Sequence, residues 1–260
     1  MSTVQSRNAQ AGPGALHRAN NLVRRMWWRA RWGRRPYSAY QGRLMDTMAS
    51  EDPKEAVGGM WDVIGPFQLE NLKRHGLRPH HTLLDIGCGS LRGGLHLIRY
   101  LDRGHYWGTD LSPKLLDSGR RFLAEEGLED KLPRLMLAQD FLFRELDGAR
   151  FDFVQAFGLF TDVPVESVES CFNNLHRVLA PGGRFYATFG NAGKYREDRY
   201  GKKFWYPASM LQELGIRAGF EVQVAPGFNR VHQKGHSLIV ARIPAKQLLA
   251  TRDEAATVVG

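Results

Sequence analysis

Short continuous apolar runs in this chain alternate with segments whose apolar residues recur at helical spacing. Continuous runs bounded by turn residues are typical of buried parallel strands, and the spaced segments are typical of covering helices. Strands are predicted at residues 81–86, 105–110, 133–138, 151–157, 184–189, 220–224 and 235–243. Helices are predicted at residues 61–72, 91–101, 112–126, 165–179 and 207–218. Residues 46–60 are expected to be linker and turn, residues 181–183 a Pro-Gly-Gly turn, and residues 190–206 a long insertion between a strand and a helix. This order predicts an α/β, Rossmann-like sheet of seven mostly parallel strands with helices on both faces.

Charge divides the chain into three expected regions. Residues 1–45 hold nine arginines, no lysine and no acid, whereas the remainder holds 27 basic and 27 acidic residues. We therefore expect a basic, partly disordered arm at 1–45, a folded domain at 46–245 and a tail at 246–260. No apolar run approaches a membrane span and no secretory signal is visible, so the expected location is cytoplasmic.

Residues 18–35 of the arm predict an amphipathic helix. Five apolar residues share one helical face, namely Leu22, Val23, Met26, Trp27 and Ala30. Surrounding arginines are typical of a helix that lies on an anionic membrane, which would place the protein at the inner membrane face. The same charges can bind a nucleic-acid backbone, or the helix can pack on its own domain. Because the folded body is neutral, nucleic acid is not the expected partner.

A glycine turn follows the first predicted strand within Leu84-Asp85-Ile86-Gly87-Cys88-Gly89. Ligands bind such sheets at the carboxyl ends of the strands, where Asp85 places a carboxylate and the glycines allow close approach. The third glycine of the dinucleotide fingerprint is replaced by Arg92, and no Gly-Lys-Ser/Thr follows. A ligand with an ammonium group and no pyrophosphate suits this carboxylate better. S-adenosylmethionine is such a ligand.

These residues resemble motif I of the class I S-adenosylmethionine-dependent methyltransferases. The longer string Gly-Cys-Gly-Ser-Leu-Arg-Gly-Gly, residues 87–94, is similar to that of a bacterial group of small-molecule methyltransferases within the class. Leu91 replaces the usual third glycine, and Gly93-Gly94 is expected to relieve the crowding. Residues 179–183, Leu-Ala-Pro-Gly-Gly, resemble another hallmark of the class. The resemblance also implies an antiparallel last strand and a lid at 57–61.

Later strand ends complete the expected cofactor site. Asp110 lies about 20 residues past the glycine turn, where nucleotide-binding folds place an acid on the ribose hydroxyls. The resemblance implies that Asp140 and Phe141 contact the adenine and that Phe157 borders the methyl-transfer channel. The expected cofactor contacts are Asp85, Gly87, Cys88, Gly89, Asp110, Leu111, Asp140, Phe141 and Phe157.

Methyl transfer to an alcohol or phenol requires orientation and sometimes a base. His232 lies in the predicted loop before the last strand and is the candidate base, with His236 in reserve. Asp162 is an alternative base or a helix-terminal acid. Two cysteines and no Asp-Asp-Asn arrangement predict a reaction without a metal ion. The expected acceptor is a small molecule that receives the methyl group on an oxygen. It is a sugar, a glycolipid or a natural product.

Two other functions fit the same fold. A nicotinamide-dependent oxidoreductase would use the glycine turn, but Asp85 and the missing glycine at position 92 count against it. A non-catalytic nucleotide-binding scaffold would not require Asp85, Asp110 and Asp140 together. A comparison of S-adenosylhomocysteine binding with NAD binding separates a methyltransferase from an oxidoreductase. Turnover on any acceptor excludes the scaffold.

Overall fold

A computed structural model describes residues 37–146, 148–198 and 201–244, with only the backbone described at 230 and 231. The amphipathic helix predicted at 18–35 and the tail at 246–260 lie outside these residues. The chain divides into two compact units, residues 1–40 and 41–260, and every contact discussed below lies within the second. None of the described helices is both long enough and apolar enough to cross a membrane.

Helices and strands alternate through most of the second unit. The helices are α1 Tyr37–Glu51, α2 Pro53–Ala56, α3 Trp61–Arg74, α4 Gly94–Tyr100, α5 Pro113–Glu125, α6 Val165–Asn174, α7 Ala208–Arg217 and α8 Phe228–Val231. The strands are β1 Leu83–Ile86, β2 Tyr106–Asp110, β3 Arg134–Leu137, β4 Phe151–Ala156, β5 Leu179–Asn191, β6 Arg196–Glu197, β7 Phe204–Tyr206, β8 Glu221–Val224 and β9 Ser237–Arg242. Short 3₁₀ turns lie at Glu129–Lys131, Arg144–Leu146, Leu159–Thr161 and Leu175–Arg177.

The sheet confirms the predicted Rossmann-like architecture. β1 lies between β2 and β4 in parallel register, β3 extends the sheet beyond β2, and β5 extends it beyond β4. β9 runs antiparallel between β5 and β8. The carboxyl ends of β1, β2 and β3 therefore lie along one edge, because parallel strands end on the same side.

Within the part of the chain that the structure describes, the sheet has nine strands rather than the predicted seven. The two additional strands come from residues 190–206, which were expected to be a long insertion between a strand and a helix. β7 pairs in parallel with the end of β5, through Gly190 with Trp205, and β6 pairs antiparallel with β7. β5 itself begins at Leu179, so the Pro-Gly-Gly turn predicted at 181–183 lies inside the strand.

Residues 46–60 were expected to be linker and turn, and most of them are helical. α1 continues to Glu51, and Asp52 caps α2 by accepting from the amides of Lys54 and Glu55. Pro53 occupies the first helical position, which its fixed φ suits. The Asp-Pro pair is therefore a helix start, and only Gly58–Gly59 forms the expected turn, with φ of 88° and 59°.

Candidate functional site

The backbone amides of the glycine turn after β1 form hydrogen bonds within the protein. Gly87 and Cys88 donate to the Thr109 carbonyl at 2.7 and 3.0 Å. Gly89 donates to a carboxylate oxygen of Asp110 at 2.9 Å. A phosphate-binding turn needs unpaired N–H groups, so these three amides are not available to a pyrophosphate.

Leu91 adopts the backbone conformation that the replaced glycine would favour. Its φ is 72°, and its side chain is fully buried. A Cβ on Gly94 would lie 2.6 Å from Leu91 Cδ2, and a Cβ on Gly119 would lie 3.0 Å from Leu91 Cγ. Gly94 does relieve the crowding as expected, and Gly119 of α5 contributes as well. Burial of the leucine offsets the cost of a left-handed backbone, which is about 1–2 kcal/mol.

The segment before α3 lies directly on motif I. Ser90 Oγ donates to the Pro53 carbonyl at 2.7 Å. Val57 Cγ1 would lie 2.6 Å from a Cβ on Gly89, so the space left by this glycine is used by Val57. Residues 52–60 thus cover the glycine turn, as the lid expectation for 57–61 requires.

Asp85 is buried beneath the start of α4. It is 4% exposed, and Tyr106 Oη donates to its carboxylate at 2.8 Å. Burial raises the pKa of Asp85 to about 6, against the lowering effect of the hydrogen bonds from Tyr106 and Gln155. Direct contact between this acid and a ligand ammonium group stays a prediction.

Asp110 is half-buried and holds two elements together. One carboxylate oxygen accepts from the Gly89 amide and the other from the Ser112 amide, each at 2.9 Å. Ser112 caps α5 by accepting from Leu115, so Asp110 is not needed as the cap. Burial raises the pKa of Asp110 to about 6. A carboxylate has about four lone-pair sites, so each oxygen can also accept from a ribose hydroxyl.

The remaining expected cofactor residues lie on both sides of this acid. Leu111 is half-buried beside Gly42 of α1. Asp140 is exposed and accepts from the Leu142 amide at 3.0 Å. The Ala138 amide donates to the Asp110 carbonyl at 2.9 Å, so the loop that carries Asp140 and the half-buried Phe141 begins beside Asp110. The strand ends therefore bring these acids to one edge of the sheet.

The Cys88 side chain packs into the interior. A Cβ on Gly108 of β2 would lie 2.8 Å from its sulfur, and burial raises the pKa of its thiol well above the usual value. Only the backbone of Cys88 can therefore face a ligand.

An aromatic cluster lies beyond the end of β4. Phe157 packs against Phe67 of α3 and Phe228 of α8, with ring centres 6.4 and 6.2 Å apart. His232 lies 5.8 Å from Phe157 and stacks on His236 at 4.7 Å. Both expected catalytic histidines are thus brought together with the expected channel residue.

The hydrogen bonds of His232 define which ring nitrogen can carry a proton. Its Nδ1 accepts from the amides of Lys234 and His236 at 3.2 and 3.4 Å. In the neutral ring the proton is therefore inferred to sit on Nε2. Burial, followed by the charge of His236, lowers the pKa of His232 to about 4. Nε2 is then the ring nitrogen of neutral His232 that can donate a hydrogen bond, and its role as a base stays a prediction.

His236 has a different environment. Its Nδ1 is buried and has no hydrogen-bond partner among the described residues. Burial, followed by the charges of Lys234, Lys203 and Arg92, lowers the pKa of His236 to about 4. A neutral ring with an unengaged buried nitrogen can accept a proton from a neighbouring group.

Sequence reasoning missed three basic residues beside this histidine pair. Arg92 donates to the Gly59 carbonyl at 3.0 Å, and Lys234 donates to the Gly58 carbonyl at 2.8 Å. Lys203 pairs with Asp162, the alternative base candidate. Arg92 was visible within motif I, but the other two lie in loops distant in sequence. Within the described ranges, no group of three or more His, Cys, Asp or Glu residues is arranged to hold a metal ion.

Comparison with known proteins matches part of this chain to methyltransferases. Residues 83–183 match the family model described as a methyltransferase domain. A sterol 24-C-methyltransferase of Gibberella zeae, ERG6B, is 25% identical over 187 residues, covering 70% of this chain and 43% of that protein. A demethylmenaquinone methyltransferase of Symbiobacterium thermophilum is 26% identical over 176 residues, covering 65% of each chain. The chain thus spans 43% and 65% of the lengths of these two relatives.

A solved structure shows the same fold. The complex of DhpI with S-adenosylhomocysteine superposes with a TM-score of 0.58 at 21% identity, covering 80% of this chain and 97% of that chain. The chain therefore has a Rossmann-like fold, and residues 83–183 match a methyltransferase-domain model.

Proposed function

We propose that this protein transfers a methyl group from S-adenosylmethionine to an oxygen of a small-molecule acceptor. The acceptors that we propose are a sugar, a glycolipid or a natural product. The observation that carries the proposal is the glycine turn, whose three amides are used internally while Asp110 keeps acceptor sites open beside it. Such a turn suits a nucleoside without phosphates.

The expected cofactor residues fit S-adenosylmethionine by their donor and acceptor chemistry. Asp110 would accept from the ribose hydroxyls, and Asp140 with Phe141 would hold the adenine. Asp85 directly precedes the turn residues Ile86 and Gly87, and its charge would favour the ligand ammonium group. When bound, the cofactor supplies a methyl group on a positively charged sulfur, which is a good leaving group.

The chain's own residues orient the acceptor and receive its proton. Phe67, Phe157 and Phe228 exclude water from the space beside the histidine pair. We propose His236 as the base and His232 as the residue that positions it by stacking. The proton of the acceptor hydroxyl would move to Nδ1 of His236, which has no other partner in the described part of the chain.

Substitution of each histidine separates these roles. With an acceptor that turns over, His236→Gln should lower kcat by about 10²-fold or more, which is the lower range for a general base. His232→Gln should lower kcat less, since it removes only positioning. Neither change should alter the affinity for S-adenosylhomocysteine. An unchanged kcat in His236→Gln would remove the base role.

Calorimetry tests the proposed cofactor against the oxidoreductase alternative. Full-length protein should bind S-adenosylhomocysteine at one site and should give no saturable heat with NAD. Binding of NAD in preference to S-adenosylhomocysteine would overturn the proposed function.

A further inference from the structure

Two cations converge on the Gly58–Gly59 turn. Lys234 Nζ and Arg92 Nη1 donate to the carbonyls of these two successive glycines. A Cβ on Gly58 would lie 2.6 Å from Lys234 Nζ and 3.7 Å from Arg92 Nη1, so both charges lie close to one point. Like charges at such a separation repel each other, and an anion bound between them would add an attraction to each cation that offsets this repulsion.

Lys203 acts on Lys234 from a distance, and because it pairs with Asp162 the two together add no net charge. Burial, then Arg92 and then Lys203 lower the pKa of Lys234, against the raising effects of Asp162 and Glu55. Asp162 is already paired with Lys203, and Glu55 is exposed to solvent. The neighbouring acids therefore leave Lys234 in a net positive environment.

Two buried polar atoms in the same region have no hydrogen-bond partner among the residues described. One is the Nε–H donor of Arg92, and the other is Nδ1 of His236. A buried unpaired polar group is costly, so a ligand that supplies the missing partners gains binding free energy. An anionic oxygen suits Arg92, and an acceptor hydroxyl suits His236.

The histidine pair lies within the field of these cations. The Lys234 amide donates to His232, and the charges of Lys234 and Arg92 help to lower the pKa values of both histidines. An anion bound at the cluster would offset those charges and make the histidines more basic. Binding of the acceptor would then prepare the base that receives its proton.

We propose that the acceptor carries a carboxylate or a phosphate group, which binds to Lys234 and Arg92 beside the His232–His236 pair. This inference rests on the proposed function, because it names the chemistry of the acceptor for the same methyl transfer. The anion fixes the acceptor at one end, and its hydroxyl reaches His236 at the other.

Calorimetry with simple anions tests this site without turnover. Full-length protein saturated with S-adenosylhomocysteine is titrated at constant ionic strength with inorganic phosphate and, separately, with acetate. Binding of at least one anion is expected, and the tighter of the two identifies the acceptor group. Lys234→Met should weaken that binding about tenfold or more, because a charge-assisted hydrogen bond is lost. Lys73→Met, a matched change at an exposed lysine paired with Glu70, should leave it unchanged.

A second readout follows the histidines directly. In the unaltered protein, the bound anion should raise the pKa of His236 as measured by NMR, and Lys234→Met should reduce that rise.

Three results would overturn the inference. The first is the absence of anion binding, or binding that is equal in Lys234→Met and Lys73→Met, while S-adenosylhomocysteine still binds. The second is competition between the anion and S-adenosylhomocysteine, which would assign the cations to the cofactor carboxylate and leave the proposed function intact. The third is failure of the unaltered protein to bind S-adenosylhomocysteine, which would remove the proposed function together with this inference.

Discussion

The edge at the ends of β1 and β2 differs from the surface around Gly58, Lys234 and His236 in how its polar groups are paired. At the edge, the amides of Gly89 and Ser112 donate hydrogen bonds to Asp110, and the other amides of the glycine turn donate to the Thr109 carbonyl. Around Gly58, cations lie close together and two buried polar atoms are unpaired among the described residues. The first region is organised before a ligand arrives, whereas the second gains its missing partners from the ligand. We therefore expect substitutions at the edge to affect folding and cofactor affinity, and those around Gly58 to affect the acceptor.

Leu91 tests how strongly packing organises the edge. Leu91→Ala should lower the free energy of unfolding by about 3 kcal/mol, within the range for buried leucines. Leu91→Gly should cost about 1 kcal/mol less, because glycine tolerates the positive φ. Urea unfolding measures both values.

Leu132 supplies the matched control for this pair. It has a φ of 49° and is 51% exposed, so it shares the backbone conformation without the burial. Leu132→Gly should be neutral or stabilise by up to about 1 kcal/mol. A larger loss of stability in Leu91→Gly than in Leu91→Ala would contradict the account of motif I.

Asp110→Ala should weaken binding of S-adenosylhomocysteine by about 10²-fold, because two charge-assisted hydrogen bonds to the ribose are lost. Calorimetry measures the affinity, and thermal unfolding checks the fold. Asp117→Ala removes an exposed acid of α5 paired with Arg120 and should have no effect. Equal affinities for the two variants would exclude Asp110 from the cofactor site.

Cofactor affinity should rise with pH through the range in which the edge acids ionise. The pKa values of Asp85 and Asp110 are about 6, raised by burial above 3.8. Their protonated forms stabilise the ligand-free fold below about pH 4, and this contribution is lost as the pH rises through about 6. The cationic cofactor prefers the ionised acids, so affinity for S-adenosylmethionine should increase about tenfold per contributing acid between about pH 5 and pH 7.

Asp85→Asn provides the comparison for this pH dependence. Its affinity for S-adenosylmethionine should change less between the two pH values. A pH dependence identical to that of the unaltered protein would show that Asp85 does not contribute.

The contact between Ser90 and Pro53 has the smallest expected effect. Ser90→Ala should lower the free energy of unfolding by about 1 kcal/mol, the typical value of one hydrogen bond. Hydrogen exchange in residues 52–60 should accelerate, since this segment is held on motif I by that contact. Ser209→Ala, at an exposed position of α7, should leave this exchange unchanged.

The sequence allowed the edge to be predicted because its residues follow one another at fixed spacing. Asp85 and Asp110 end consecutive strands, and parallel strands end on the same side. The helical character of residues 46–56 was missed because Asp52-Pro53 is common both in turns and at helix starts. β6 and β7 were missed because two- and three-residue strands leave no periodic pattern.

The cationic cluster could not be predicted from spacing. Gly58, Arg92, Lys203 and Lys234 come from four separate parts of the chain, and only the fold brings them together. The hydrogen bonds that occupy Nδ1 of His232 depend on the local path of the backbone at 232–236. A histidine in a loop gives no signal of that path in the sequence.

A crystal structure of the protein with S-adenosylhomocysteine tests the central claim most directly. We expect the ribose hydroxyls within hydrogen-bond distance of Asp110, the adenine beside Asp140 and Phe141, and the sulfur facing the His232–His236 pair. A nucleotide bound elsewhere, or one whose ribose makes no contact with Asp110, would contradict the account.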